Sequence, residues 1–129
     1  RERATFQNYK RRMERERIER TQSIAADLLL KLLPVMDDFD RAIEATPEEA
    51  RSEVFEGMEL IHRKLERYLT DAGVTPIDAL GQPFDPNFHE AIGVDTESDA
   101  EPDTVSQVMQ RGYMHGDRVL RPAMVRVAQ

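Results

Sequence analysis

The chain has no cysteine and no tryptophan among its 129 residues. Without cysteine there is no disulfide framework, no thiolate nucleophile and no zinc–thiolate site, and the composition fits a reducing cytoplasm. Aromatic residues are few, three Tyr and five Phe, while 33% of the chain is charged. That balance suits exposed helices better than one large globular core. No apolar run approaches the roughly 20 residues of a membrane span, and no signal peptide is visible. Neither GxxxxGK[ST] nor GxGxxG occurs, so no glycine loop is set to cradle phosphate. No serine or threonine stands in a glycine elbow or at a recognisable spacing from a histidine partner. These absences point away from a membrane protein, a nucleotide-binding protein and an enzyme. The expectation is an interaction protein without a cofactor, a metal or direct nucleotide binding.

What is present is unevenly spread. The net charge is −7. Residues 1–20 hold eight basic groups (Arg1, Arg3, Lys10, Arg11, Arg12, Arg15, Arg17, Arg20) against four acidic ones, Glu2, Glu14, Glu16 and Glu19. That segment is +4, leaving −11 for the remainder. A basic arm of this kind is the footprint of nucleic-acid binding, and a coiled-coil nucleic-acid-binding protein is the alternative reading. The interspersed glutamates, with only Phe6 and Tyr9 for stacking, weigh against it. The chain opens inside a charged helical pattern, which points to a natural N-terminus further upstream.

Residues 1 to about 33 lack proline and glycine and are dominated by good helix formers. Phe6, Tyr9 and Met13 recur at steps of three and four, continued with gaps by Ile18 and Ile24. This narrow stripe has the width of a two-helix seam. A helix of that length spans roughly 50 Å at 1.5 Å per residue. So polar a helix is marginal alone in water, and a second copy of the chain is its simplest partner. The apolar face then widens through Leu28, Leu29, Leu32, Leu33, Val35, Met36, Phe39, Ala42 and Ile43. Pro34 interrupts this run and predicts a kink, or a restart as a short helix over 35–45. Thr46-Pro47-Glu48-Glu49 reads as a helix start with a capping box. The helix that follows runs to about Ala72 and stops at Gly73. Val54, Met58, Ile61, Leu65 and Tyr68 recur at spacings of 4, 3, 4 and 3, a heptad stripe. Two helices per chain are too few for a bundle core, so the pattern predicts a dimeric four-helix bundle behind a dimeric coiled coil.

Beyond Gly73 lie five of the seven prolines and four of the six glycines. Residues 74–77, 89–94, 105–109 and the closing stretch from Gly112 are strand candidates; 81–86 and 95–103 are loops. The fold class is therefore α+β, with a helical region at 1–73 and a small β-rich module at 74–129. The closing segment reads as two strands turning at His115-Gly116-Asp117. Pro122 assigns the second strand to a sheet edge or a bulge, next to the broken alternation at Leu120 and Arg121. Its three arginines make either a docking surface or a solubilising edge, and composition alone favours the second. Asp85, His89 and Glu90 have the residue types of a metal or acid–base site and define a hydrolase as a third reading. One close histidine is too few for a zinc site, and a local turn is the simpler account. His62 falls off the heptad stripe and reads as a surface residue, and His115 as solvated.

Several motifs converge. FQNYKRR (6–12), LLPVMDDFDRAIE (32–44), EGMELI (56–61), FDPNFHEAI (84–92) and GYMHGDRVLRPAMVRVA (112–128) resemble the GrpE family, the nucleotide exchange factors of DnaK-type chaperones. The resemblance spans essentially the whole chain, and RVLRPAMVRVA is its most specific part. Where the family often has Asn-Gly before the arginine matching Arg118, this chain has Gly116-Asp117. The resemblance implies an elongated homodimer of paired long helices, a four-helix bundle and two β wings. One wing would dock on the chaperone's ATPase domain and open its nucleotide cleft. By similarity Arg118 and Val127 match chaperone-contacting positions, with Lys10, Arg11 and Glu44 as further contacts. Phe6, Tyr9, Met13, Leu28, Leu32, Phe39, Val54, Met58, Ile61 and Leu65 are the expected dimerisation residues. The acidic, disordered leader of the family has no counterpart in these residues.

Overall fold

A computed structural model describes residues 2–129. The chain divides into two compact units, one ending at Leu32 and one running Leu33–Gln129. Helix α1 spans Glu2–Ala45, 44 residues, and passes through Pro34 without a break. The expected restart as a separate helix over 35–45 does not occur. Proline removes one backbone hydrogen bond, but Leu33 and Met36 on either side of it are fully buried. Their burial, worth roughly 1.5–3 kcal/mol per side chain, holds both flanking turns in register.

The second helix begins later than Thr46 predicts. The Thr46 hydroxyl donates to Ala42 O at 2.8 Å, so it closes α1 instead of capping a new helix. A 3₁₀ turn over Glu48–Ala50 follows, with no side-chain cap. Helix α2 spans Glu53–Asp71, with Ser52 at its N-cap. The Ser52 carbonyl accepts from Glu56 N–H at 3.0 Å. Gly73, at φ +88°, ends the helical region as expected.

Six strands follow: β1 Val74–Pro76, β2 His89–Asp95, β3 Val105–Gln110, β4 Tyr113–His115, β5 Arg118–Arg121 and β6 Ala123–Ala128. They form two three-stranded sheets, ordered β1-β4-β5 and β2-β6-β3. In the first, all pairings are antiparallel. In the second, β6 runs parallel to β2 and antiparallel to β3. The strand expected to run from Arg118 past Pro122 is thus two strands in two sheets. Arg118 begins an edge strand, as read, whereas β6 is the central strand of its sheet. Pro122 stands between them, where no ladder bond is required of it. The predicted bulge is present: Tyr113 pairs with Arg121 and Met114 with Val119, so Leu120 is the extra residue.

The β4–β5 hairpin turns on Gly116 and Asp117. Gly116 has φ +61°, while Asp117 keeps a negative φ. Positive φ at the first central residue alone is the pattern of a type II′ turn, for which glycine is the fitting residue. The core of the β region is Ala79, Val105, Ala123 and Val125, with Ile77, Phe84, Val108 and Val127 packed on it.

Candidate functional site

The chemistry-bearing side chains gather where α1, α2 and the hairpin meet. On α1, Leu33, Met36, Asp37, Asp40 and Glu44 follow one another at helical spacing, so all three carboxylates share the face of the two buried apolar residues. Asp37 is 8% exposed. A carboxylate that deep requires a charged, hydrogen-bonded partner. Arg121, the last residue of β5, supplies it. Its Nη1 donates to Asp37 Oδ2 at 2.8 Å and its Nη2 to Asp37 Oδ1 at 2.5 Å. Arg121 Nε and Nη2 also donate to Arg111 O at 2.9 and 2.8 Å. Gln110 Nε2 adds a third donor to Asp37, at 3.1 Å from Oδ2.

A second ion pair lies beside the first. Arg111 Nη1 donates to Glu66 Oε1 on α2 at 3.0 Å and lies 3.8 Å from Asp40 Oδ1. Burial pulls the Arg111 guanidinium toward neutrality, but the Glu66 hydrogen bond and nearby Tyr113 and Asp40 outweigh it, and the group is held charged. Burial raises the Asp40 carboxyl above its ordinary value, against the opposing pull of Arg111 and His62. Tyr113 lies beneath both guanidinium groups, 5.6 Å from Arg111 and 5.5 Å from Arg121. Burial likewise raises its phenol.

His62 belongs to this cluster and is not the surface residue its spacing suggested. Its side chain is 13% exposed, with Nε2 3.3 Å from Asp40 Oδ1 and without a hydrogen-bond partner among the described residues. Its ring lies 5.5 Å from that of Phe39. The inward face of α2 is set by Phe55, His62 and Leu69, one heptad apart, and this leaves the stripe read from sequence largely outside. Val54 is 82% exposed and Ile61 57%. Met58, Leu65 and Phe39 are half-buried within the chain. Phe6, Tyr9, Met13, Leu28 and Leu32 are exposed on α1.

The expected contact residues are distributed as follows. Arg118 is exposed at the start of β5, directly after the turn. Val127 is half-buried on the central strand, packed against the β core. Glu44 is exposed on the last turn of α1 and lines a cleft of about 320 Å³ with Asp40, His62 and Val108. Lys10 lies over the Phe6 ring at 5.5 Å, and neighbouring Arg11 is exposed. His115 is half-buried at the end of β4 and not fully solvated.

Asp85 and His89 are occupied locally. Asp85 N–H donates to His89 Nδ1 at 3.0 Å, Asp85 Oδ1 accepts from Asn87 N–H at 2.9 Å, and His89 N–H donates to Asp85 O at 2.8 Å. His89 is 6% exposed, with its ring 5.8 Å from Phe84. The motif is a turn held by its own side chains, and Glu90 is exposed beside it. Among the described residues no group of three or more His, Asp or Glu is arranged to hold a metal ion. No described helix is long and apolar enough to cross a membrane.

Sequence reasoning missed Asp37, Glu66, Gln110, Arg111 and Arg121 as a set. The available signal was Asp37 itself, a charge directly after Met36 on the apolar face of α1.

Comparison with known proteins agrees with these motifs. The GrpE family model matches residues 1–129. The chain is 44% identical over 128 residues to Protein GrpE of Parageobacillus thermoglucosidasius, covering 98% of this chain and 57% of that protein. It is 42% identical over 126 residues to Protein GrpE of Carboxydothermus hydrogenoformans, covering 98% and 64%. With Protein GrpE of Geobacillus kaustophilus it shares 46% over 132 residues, covering 98% and 60%. The chain thus spans about three fifths of the length of these relatives. On the match along its whole length and at this level of identity, the chain belongs to the GrpE family.

Proposed function

We propose that this chain acts as a co-chaperone, a nucleotide exchange factor that binds the ATPase domain of a DnaK-type chaperone and speeds ADP release. Family membership along all 129 residues carries the proposal. The exposed, arginine-led edge strand β5 supports it with a surface suited to docking. Arg118 is the principal contact in this reading. Val127 contributes the part of its side chain that the β core leaves uncovered, and Lys10, Arg11 and Glu44 supply further contacts. The protein works as a cytoplasmic homodimer, with the outward stripe of Val54, Ile61 and Tyr68 on α2 covered by the second copy. Each is a large apolar side chain more than half exposed in one chain, a stripe that a lone helix pair leaves in water at a cost.

The mechanism follows from linkage. A partner releases ADP only if it binds the open chaperone more tightly than the closed, ADP-filled one. By reciprocity, nucleotide weakens the partner's binding by the same factor, so ATP ejects it. No residue of this chain has to touch nucleotide. Release of labelled ADP from a DnaK-type chaperone, with and without the protein, is the test. Acceleration that saturates with added protein is expected, and Arg118→Ala should reduce it while the dimer persists. An unchanged release rate at saturating protein refutes the proposal.

A further inference from the structure

We propose that Arg121 and Asp37 are positioning residues, a directional lock that fixes the β5 edge at one angle to α2 and to the stretch of α1 from Leu33 onward. The functional half of this inference rests on the exchange-factor reading; the mechanical half does not. The β core of Ala79, Val105, Ala123 and Val125 contains no helical residue, and neither do the side chains packed on it. The fully buried Leu33 and Met36 of α1 lie outside that cluster. Beside the apolar contact of α2 with β1, where Leu69 and Val74 are both buried, the junction is a seam rich in charge. Apolar contact is non-directional. A bidentate guanidinium–carboxylate pair fixes a distance and an orientation together.

Every nitrogen of Arg121 is used: Nη1 on Asp37, Nη2 on Asp37 and Arg111 O, and Nε on Arg111 O. The residue thereby ties α1, the β3–β4 link and β5 at one point. The second pair, Arg111 with Glu66, ties the same link to α2. Arg121 ends the four-residue strand that Arg118 begins. Load applied to the exposed end of β5 thus passes along one short strand to a fixed anchor. Pro122 follows at once and restricts the backbone beyond it. An edge that pivoted freely would follow the chaperone as its cleft closed and lose discrimination between the two states. A locked edge retains that discrimination.

Two measurements test this, one of them without a chaperone. The chain has no cysteine, so cysteines introduced at exposed Asp117 and Arg67 take spin labels cleanly. In the full chain, diluted with unlabelled protein, the label–label distance distribution should be narrow. It should broaden in Arg121→Lys, which keeps the charge and loses the fork, and in the paired Asp37→Leu/Arg121→Met variant. The paired variant removes both buried charges, a replacement that tends to preserve folding. A distribution equally narrow in the folded paired variant overturns the lock. The second measurement is ADP release from the chaperone at saturating protein. The paired variant should bind nucleotide-free chaperone as wild type does, yet lose at least roughly fivefold less affinity when ADP is added, the low end of ordinary coupling between sites, and accelerate release less than wild type. Full acceleration with a broadened distribution overturns the functional half. If wild type itself fails to accelerate release, the exchange-factor reading falls while the distance result still decides the lock.

Discussion

Gly112→Ala is expected to be the most damaging single-methyl change in the chain. Gly112 joins β3 in one sheet to β4 in the other, and Pro122 joins β5 to β6 by the reverse route. The two crossovers press together. A Cβ on Gly112 would fall 2.3 Å from Ala123 N, 2.8 Å from Ala123 Cα and 2.8 Å from the Pro122 carbonyl carbon. All three atoms are backbone, so no rotamer change relieves the contact. Ala123 is fully buried and leads the central strand β6. Overpacking a well-filled core costs about 1–3 kcal/mol, and a backbone-on-backbone clash belongs at or above the top of that range. Gly112 O also accepts from Ile77 N–H at 2.8 Å, so retreat of this segment breaks a further bond. For a unit of this size each kcal/mol moves the midpoint by about 4–8 °C, giving a fall of roughly 12–24 °C. Gly81→Ala is the matched control. Its φ is +80° but nothing lies within 4 Å of the added Cβ, so only strain of about 1–2 kcal/mol applies. Calorimetry, with amide spectra to follow β6, makes the comparison. Equal midpoints for the two variants refute the close-approach argument.

Three further outcomes are expected. Because burial raises the Asp40 carboxyl above 3.8, the folded chain holds that proton more tightly than the unfolded one, and stability falls as pH climbs from about 3.8 upward. Asp40→Asn should therefore melt at or above wild type at pH 7, with the gap closing below pH 4; a clear loss at pH 7 would mean that attraction to Arg111 outweighs burial. Ile61→Asp should change the melting of an isolated chain by no more than about 0.5 kcal/mol, as exposed substitutions do, yet abolish the dimer in sedimentation equilibrium; an intact dimer removes this stripe from the interface. Pro34→Ala should raise helicity and stabilise α1 by up to about 3 kcal/mol, since it restores a missing helix bond; lower helicity would show that the proline geometry is required.

The sequence made local matters legible and left distant ones hidden. Gly73, the bulge at Leu120 and the turn at Gly116 each depend on backbone demands met within a few residues, and each stands close to where the pattern put it. The break at Pro122 was visible, but its consequence was not. Period-2 alternation reports which way side chains face and says nothing about which sheet receives a strand. The helix start at Thr46 failed for a related reason. A threonine hydroxyl can cap forward or bond backward, and here it reaches back to Ala42. The stripe read on α2 lies mostly outward, with Val54, Ile61 and Tyr68 exposed and Met58 and Leu65 half-buried. Counting at spacings of three and four found the outer face, while Phe55, His62 and Leu69 mark the inner one.

Asp37 and Arg121 lie 84 residues apart in sequence, so no local pattern relates them. Removing one partner from a buried pair costs about 3–5 kcal/mol, whereas replacing both with apolar residues is often neutral or better. Stability alone therefore gives no reason to keep a charged pair at this seam. The β core and the buried Leu33, Met36, Leu69 and Val74 already provide non-directional cohesion. What leucine and methionine would not provide there is a fixed angle, because the fork of Arg121 meets Asp37 in a single geometry. The pair is best understood as setting the direction of an edge strand whose stability is secured elsewhere.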